Sequence, residues 1–168
     1  MGIVATVPAP LRSRGSRISR VFRPSVPQIN KSVLVPYSAD RMFDLVATVP
    51  DYPQFMPWCG GARETLEADG RVRAMVDIDY RGVRSSFTTL NRNLAPQSIA
   101  MQLAEGPFAS LTGEWRFTAL GEAACKVEFR LDYEFASTVL GKLVAPVFDN
   151  IAKTFIDAFA RRAEALYG

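Results

Sequence analysis

The sequence predicts a single α+β domain: a curved, antiparallel seven-stranded sheet that grips one long C-terminal helix, with short helices after the first strand. Three observations predict it. Apolar and polar residues alternate with period two from Glu64 to Phe135, in runs broken by turn signals. From Leu140 onward the apolar residues recur every three or four positions instead. The chain has 168 residues, 48% of them hydrophobic, which suits one domain with a sizeable core.

The elements follow in order. Ile29–Val35 reads as a strand that Pro36 ends. Ser38 is a good N-cap for a short helix over Arg41–Val46, where Met42, Leu45 and Val46 share a face. Pro50, Pro53 and Pro57 then forbid a long helix and leave one short turn around Pro53–Phe55. Cys59-Gly60-Gly61 reads as a flexible exit. Glu64–Ala68 is a strand, Asp69-Gly70 a hairpin turn, and Arg71–Tyr80 a strand with Val72, Ala74, Val76, Ile78 and Tyr80 on one face. Arg81-Gly82 turns the chain into Val83–Asn93, and Ala95-Pro96-Gln97 forms the next loop. Ser98–Leu103 and Leu111–Thr118 follow, separated by Glu105-Gly106-Pro107. In Cys125–Phe135 one face is apolar and the other is charged, so this strand is half-exposed and antiparallel to its neighbours.

Ser137 or Thr138 caps the last element. Its apolar stripe is Leu140, Leu143, Val144, Val147, Phe148, Ile151, Phe155, Phe159 and Leu166, and Pro146 within it predicts a kink or a break. Six strands joined by short turns form a twisted meander whose edge the first strand completes. The apolar face must be covered, and the long helix is the one element large enough to cover it. A helix about 10 Å across does not fill the concavity of such a sheet, so the sequence predicts an apolar pocket between the two.

Composition narrows the chemistry. There is no histidine, and Cys59 and Cys125 have no ligand-like spacing, which removes the usual general base and the usual zinc sites. Both cysteines read as reduced thiols in a reducing compartment. Asp77 and Asp79 share a strand face with Arg71 and Arg73 and read as a solvated surface; Ser85 and Ser86 have no base to activate them. No catalytic residue, metal ligand or cofactor is expected, and the chain reads as a non-enzyme. No apolar run approaches the roughly 20 residues that span a bilayer, so a cytoplasmic chain, with or without peripheral membrane contact, is expected. The net charge of +3 is uneven: six basic residues and no acidic one precede Asp40, and residues 40–168 hold 14 basic and 17 acidic residues. The basic character belongs to the tail, and no DNA partner is expected.

Residues 1–28 form that tail, and residues 29–168 the ligand-binding domain. Pro8, Pro10, Pro24 and Pro27, with five arginines and four serines, predict disorder. Three readings of the tail stand side by side: an unstructured or mis-started segment, an organellar transit peptide directing the chain to the mitochondrial matrix, and a functional basic arm.

Several runs carry a family resemblance. Tyr37–Val46, Asp51–Cys59, Glu105–Phe108, Leu111–Phe117 and Phe159–Ala163, in this order, resemble the signature of the coenzyme Q-binding START-like family, over about Ile29 to Gly168. The resemblance implies a helix-grip fold and a polyprenylated quinone such as ubiquinone, or a similar lipid, held as a ligand and not as a redox cofactor. Bacterial members are also known as ribosome association toxins, which implies the large ribosomal subunit as an alternative partner. The wider superfamily includes polyketide cyclases and lipid-transfer domains.

The candidate ligand-binding residues fall into three groups. Tyr52, Phe55 and Trp58 in the proline-rich loop, with Phe43 before them, either plug the cavity end or gate it with aromatic surfaces. Phe87, Met101, Phe108, Leu111, Trp115 and Phe117 are either plain core or ligand wall. Val147, Ile151 and Phe155 are placed on the cavity-facing stripe of the last helix. Each buried CH₂ contributes about 0.8 kcal/mol, so one five-carbon isoprene unit supplies roughly 4 kcal/mol before ordering costs, without any charged contact.

Overall fold

The computed structural model describes residues 27–168, so the expectations for residues 1–26 lie outside the described residues. The chain runs β1 (Gln28–Val35), α1 (Ala39–Ala47), a 3₁₀-helix (Val49–Gln54), β2 (Cys59–Leu66), β3 (Val72–Tyr80), β4 (Val83–Leu94), β5 (Ser98–Glu105), β6 (Phe108–Ala119), β7 (Cys125–Phe135) and α2 (Thr138–Tyr167). The seven strands form one antiparallel sheet in the order β1-β7-β6-β5-β4-β3-β2. Consecutive hairpins produce the run from β2 to β7. β1 then closes the β7 edge in register, with Ile29 opposite Leu131 and Val35 opposite Cys125. This is the curved sheet and gripped helix that the sequence predicts.

Local chemistry sets the boundaries. The Arg41 N–H donates to Ser38 Oγ at 3.3 Å and the Leu140 N–H to Ser137 Oγ at 3.3 Å, so both predicted caps are made. Of the two residues offered as the second cap, Ser137 serves. In β7, Cys125, Val127, Phe129, Leu131 and Tyr133 are buried while Arg130 and Glu134 face water.

Four expectations are corrected. Cys59-Gly60-Gly61 is not a flexible exit: it opens β2, with a bulge between Cys59 and Gly61. A Cβ on Gly61 would stand 2.8 Å from Asp77 Oδ2, so a larger residue there would have to push the Asp77 carboxylate aside. The proline-rich loop is one 3₁₀-helix with Pro50 near its start, longer than the single turn expected. α2 runs through Pro146 without a break; Pro146 is exposed, so water can satisfy the Lys142 carbonyl that loses its donor. The stripe on α2 is also narrower than drawn. Leu143 is 68% exposed and Leu166 50%, whereas Ala152, Ile156, Ala158 and Ala163 are buried. The small residues let the helix approach the sheet closely.

Candidate functional site

The concave face of the sheet carries two aromatic clusters. In one, Phe108 lies 5.0 Å from Phe148 and 5.0 Å from Phe135, and Phe148 lies 4.8 Å edge-on to Tyr133. In the other, Trp115 stacks on Phe129 at 4.4 Å, Phe159 meets Trp115 edge-on at 5.1 Å, and Phe155 lies 5.1 Å from Trp58. Alternation on β6 and β7 and the i, i+4 spacing on α2 bring these rings together.

A cavity lies between the clusters. Its wall comprises Val49, Tyr52, Ala74, Val76, Phe87, Thr89, Asn91, Met101, Leu111, Trp115, Phe129, Leu131, Phe148, Phe155 and Phe159. Its volume is about 60 Å³. That is well below the roughly 300–1,000 Å³ of small-molecule pockets. The expectation that one helix leaves a wide pocket therefore overestimates the space. Aromatic side chains from α2, together with Tyr52 from the 3₁₀-helix, reach into the concavity and occupy most of it.

Of the candidate residues, Tyr52, Phe87, Met101, Leu111, Trp115 and Phe155 are in the wall. The others lie elsewhere. Phe43 packs edge-on to Phe117 at 5.7 Å, under α1. Phe55 packs on Phe159 at 5.5 Å, outside the wall, and the Arg162 guanidinium lies 5.2 Å above its ring. Arg162 also donates to Gln54 Oε1 at 2.9 Å, so it fastens the 3₁₀-helix to α2. Trp58 backs the wall through Phe155, Phe108 belongs to the first aromatic cluster, Ile151 is buried core, and Val147 is half-buried beside the core. Being apolar and on the right face is not enough. The strand residues that reach the void are on β3 to β7, and Val49, Tyr52, Phe148, Phe155 and Phe159 close it from the 3₁₀-helix and α2.

The sequence reading missed two polar wall residues. It took the inward faces as almost purely apolar, yet Thr89 and Asn91 are buried there, at 4% and 7% exposure. The Thr89 hydroxyl donates to Asn91 Oδ1 at 2.7 Å. Parity carries the signal: Phe87, a candidate wall residue, shares one face of β4 with Thr89 and Asn91. Phe129, Leu131, Phe148 and Phe159 were on predicted apolar faces but had not been named as wall.

Tyr52 is the one ionisable residue in the wall. Its hydroxyl donates to the Val46 carbonyl at 2.5 Å, and burial pushes its pKa far upward, so it stays a neutral phenol whose proton is already used. Asp77 and Asp79 lie outside the cavity: Ser86 donates to Asp77, and Arg84 pairs with Asp79 at 3.6 Å. Among the described residues no cluster of His, Cys, Asp or Glu could hold a metal ion. A wider groove of about 410 Å³ crosses the outer face at Asn30, Ser32, Glu114, Arg116, Glu128 and Arg130. There Arg116 pairs with Glu114 at 2.8 Å, and Lys126 beside it with Glu128 at 2.9 Å, so the groove carries no charge of one sign. The interior cavity is the more selective site, because a ligand there leaves water on all sides.

No helix among the described residues is long and apolar enough to cross a membrane. The same elements occur in known proteins. An 18 kDa protein of Caulobacter crescentus, solved in solution, is 33% identical and superposes with a TM-score of 0.66, covering 84% of this chain and 99% of its own. The ribosome association toxin RatA of Escherichia coli is 42% identical over 142 residues, which is 84% of this chain and 90% of that one. A mitochondrial coenzyme Q-binding protein homologue of Xenopus laevis is 25% identical over 145 residues, covering 84% of this chain and 59% of that protein. Residues 35–160, from the end of β1 to the last turns of α2, match the family model described as polyketide cyclase / dehydrase and lipid transport. The curved sheet, the gripped helix and this match over most of the chain agree: the protein belongs to the START-like family of polyketide cyclases, dehydrases and lipid-transport proteins.

Proposed function

We propose that this chain binds a polyprenylated quinone such as ubiquinone, or a similar lipid, in the cavity between the sheet and α2, without catalysing a reaction on it, and so supports respiration. The observation that carries the reading is the chemistry of the wall. It is apolar and aromatic, has one buried polar pair, and its one ionisable group is a phenol already hydrogen-bonded to the backbone. Acid–base catalysis needs a group poised near neutral pH within reach of substrate, and this wall offers none. A neutral ligand with a long apolar tail gains from burial alone. Phe87, Phe155 and Met101 are only half-buried, and their movement would widen the cavity for a quinone ring. The coenzyme Q-binding relative supports the same reading. Extraction of the purified protein followed by mass spectrometry tests it: a quinone should co-purify at a stoichiometric level. Purified protein that carries no quinone and takes none up from micelles would sink the reading.

The 42% identity to ribosome association toxins favours a second reading, that the chain associates with the large ribosomal subunit and blocks subunit joining. Residues 40–168 are net acidic, so an RNA contact would draw on the arginines before Asp40. Sedimentation with isolated large subunits at rising salt tests it. Co-migration that weakens steeply with salt supports an RNA contact, and a protein that stays at the top of the gradient in low salt argues against one.

A further inference from the structure

Among the described residues the buried polar side chains are Thr88, Thr89 and Asn91, and of these Thr89 and Asn91 border the cavity. Thr89 and Asn91 lie two residues apart on the inward face of β4, in the middle of the sheet, where no helix end or turn needs their hydrogen bonds. Their neighbours across the ladders are apolar: Ala74 stands opposite Thr89, and Met101 opposite Asn91. A leucine or valine at either place would satisfy the core.

The pair has more hydrogen-bonding capacity than it uses. The Thr89 hydroxyl donates its one proton to Asn91 Oδ1 at 2.7 Å, and this is the side-chain hydrogen bond Asn91 makes among the described residues. The bond fixes the amide plane and leaves the two Nδ2 hydrogens for another acceptor. Asn91 borders the cavity, and its Nδ2 is not fully enclosed, so water or a ligand in the cavity can supply that acceptor. A buried donor left without an acceptor is costly, whereas one that meets an acceptor in a dry cavity is favourable.

On the reading of the cavity as a ligand site, we infer that the Thr89–Asn91 pair is its specificity-determining element and selects a neutral apolar ligand by one hydrogen bond from Asn91 to a carbonyl-class oxygen. The charge state follows from the wall, which contains no Lys, Arg, Asp or Glu. A fatty carboxylate or a phosphate headgroup would be buried there with no cation beside it, and an amine with no anion. A pure hydrocarbon would exclude water from the Asn91 amide and offer it no acceptor.

The test uses the full chain freed of lipid, two probes and isothermal titration calorimetry. One probe is ubiquinone with two isoprene units. The other is a benzene ring bearing the same tail and no oxygen. The quantity read is the ratio of the two affinities. In Asn91→Leu the quinone affinity should fall by about tenfold while the hydrocarbon affinity stays within about twofold, as expected for the loss of one buried hydrogen bond. Thr89→Val, nearly isosteric, releases the amide from its fixed plane and should shift the ratio in the same direction by a smaller factor; it carries the test if Asn91→Leu does not fold. A ratio equal to wild type in the variants that fold overturns the inference and leaves the cavity reading standing. A wild-type protein that binds neither probe removes the cavity reading, and this inference with it.

Discussion

Cys59 and Cys125 are both buried free thiols, and burial raises both pKa values above the ordinary thiol range. At Cys59 burial is the largest cause, and the Asp77 carboxylate adds to the rise. In the unfolded chain these thiols ionise near pH 8.5, and the folded chain holds their protons to higher pH. The folded state thus binds more protons than the unfolded one above that point, and stability should fall as pH rises from about 8 to 10, more steeply where Tyr52 adds the same effect near pH 10. Thermal melts across this range check it, and a midpoint that stays flat would remove burial as the cause. Two cavity-side substitutions separate wall from core. Val147→Thr should lower stability by about 1 kcal/mol and leave quinone binding unchanged, since Val147 is outside the wall. Phe155→Ala removes a ring packed on Trp58 and Phe129, and should cost about 3 kcal/mol while speeding uptake of a quinone by widening the cavity. Equal effects of the two changes on binding would show that the wall is drawn wrongly.

α2 is the element on which the site depends, and its ends and middle are held differently. Ser137 caps the start, while buried Ile151, Ala152, Ile156, Phe159 and Ala163 bind the later turns to the sheet. The first turns have less to hold them: Val139 is 71% exposed and Leu143 68%. Pro146 stands just beyond this stretch and cannot donate a hydrogen bond to the Lys142 carbonyl. Pro146→Ala restores that donor on an exposed position, so it should raise stability by about 1–3 kcal/mol in urea denaturation. It should also slow ligand uptake if the first turns of α2 move to admit the ligand. An unchanged urea midpoint would mean that the helix already relaxes around the proline without cost.

The described residues form one sheet closed over one helix, and at their start the Pro27 carbonyl accepts the Tyr133 N–H at 3.2 Å. β1 follows at once, one residue before the expected domain start at Ile29, and buries Ile29 at 4% exposure. A chain beginning at Pro27 should keep the unfolding midpoint of the full chain within about 0.5 kcal/mol. If that truncation lowers the midpoint substantially, residues 1–26 pack on the domain. The same truncated chain bears on the ribosome reading. It lacks Arg12, Arg14, Arg17, Arg20 and Arg23, so loss of large-subunit binding with retained quinone binding would assign the two partners to different parts of the chain.

The amino-acid pattern alone determined the element order, the seven strands and the covering helix. Period two in Cys125–Phe135 and the three-to-four spacing after Leu140 are direct products of strand and helix geometry, and they need no knowledge of distant neighbours. Ser38 and Ser137 were legible as caps for the same reason, because a cap is a local bond. The tertiary structure decided what local pattern does not carry. Whether Phe55 or Phe159 meets the void depends on how α2 and the 3₁₀-helix pack on the sheet. Whether Gly61 ends a loop or starts a strand depends on Asp77 across the ladder. The size of the cavity is a small difference between the space under a curved sheet and the volume of the rings that enter it, and close packing makes that difference a property of the whole interior. Thr89 and Asn91 read as ordinary polar residues in a strand until β3, β5 and the aromatic rings of α2 enclose them, and only that enclosure turns one amide into a candidate for ligand selection.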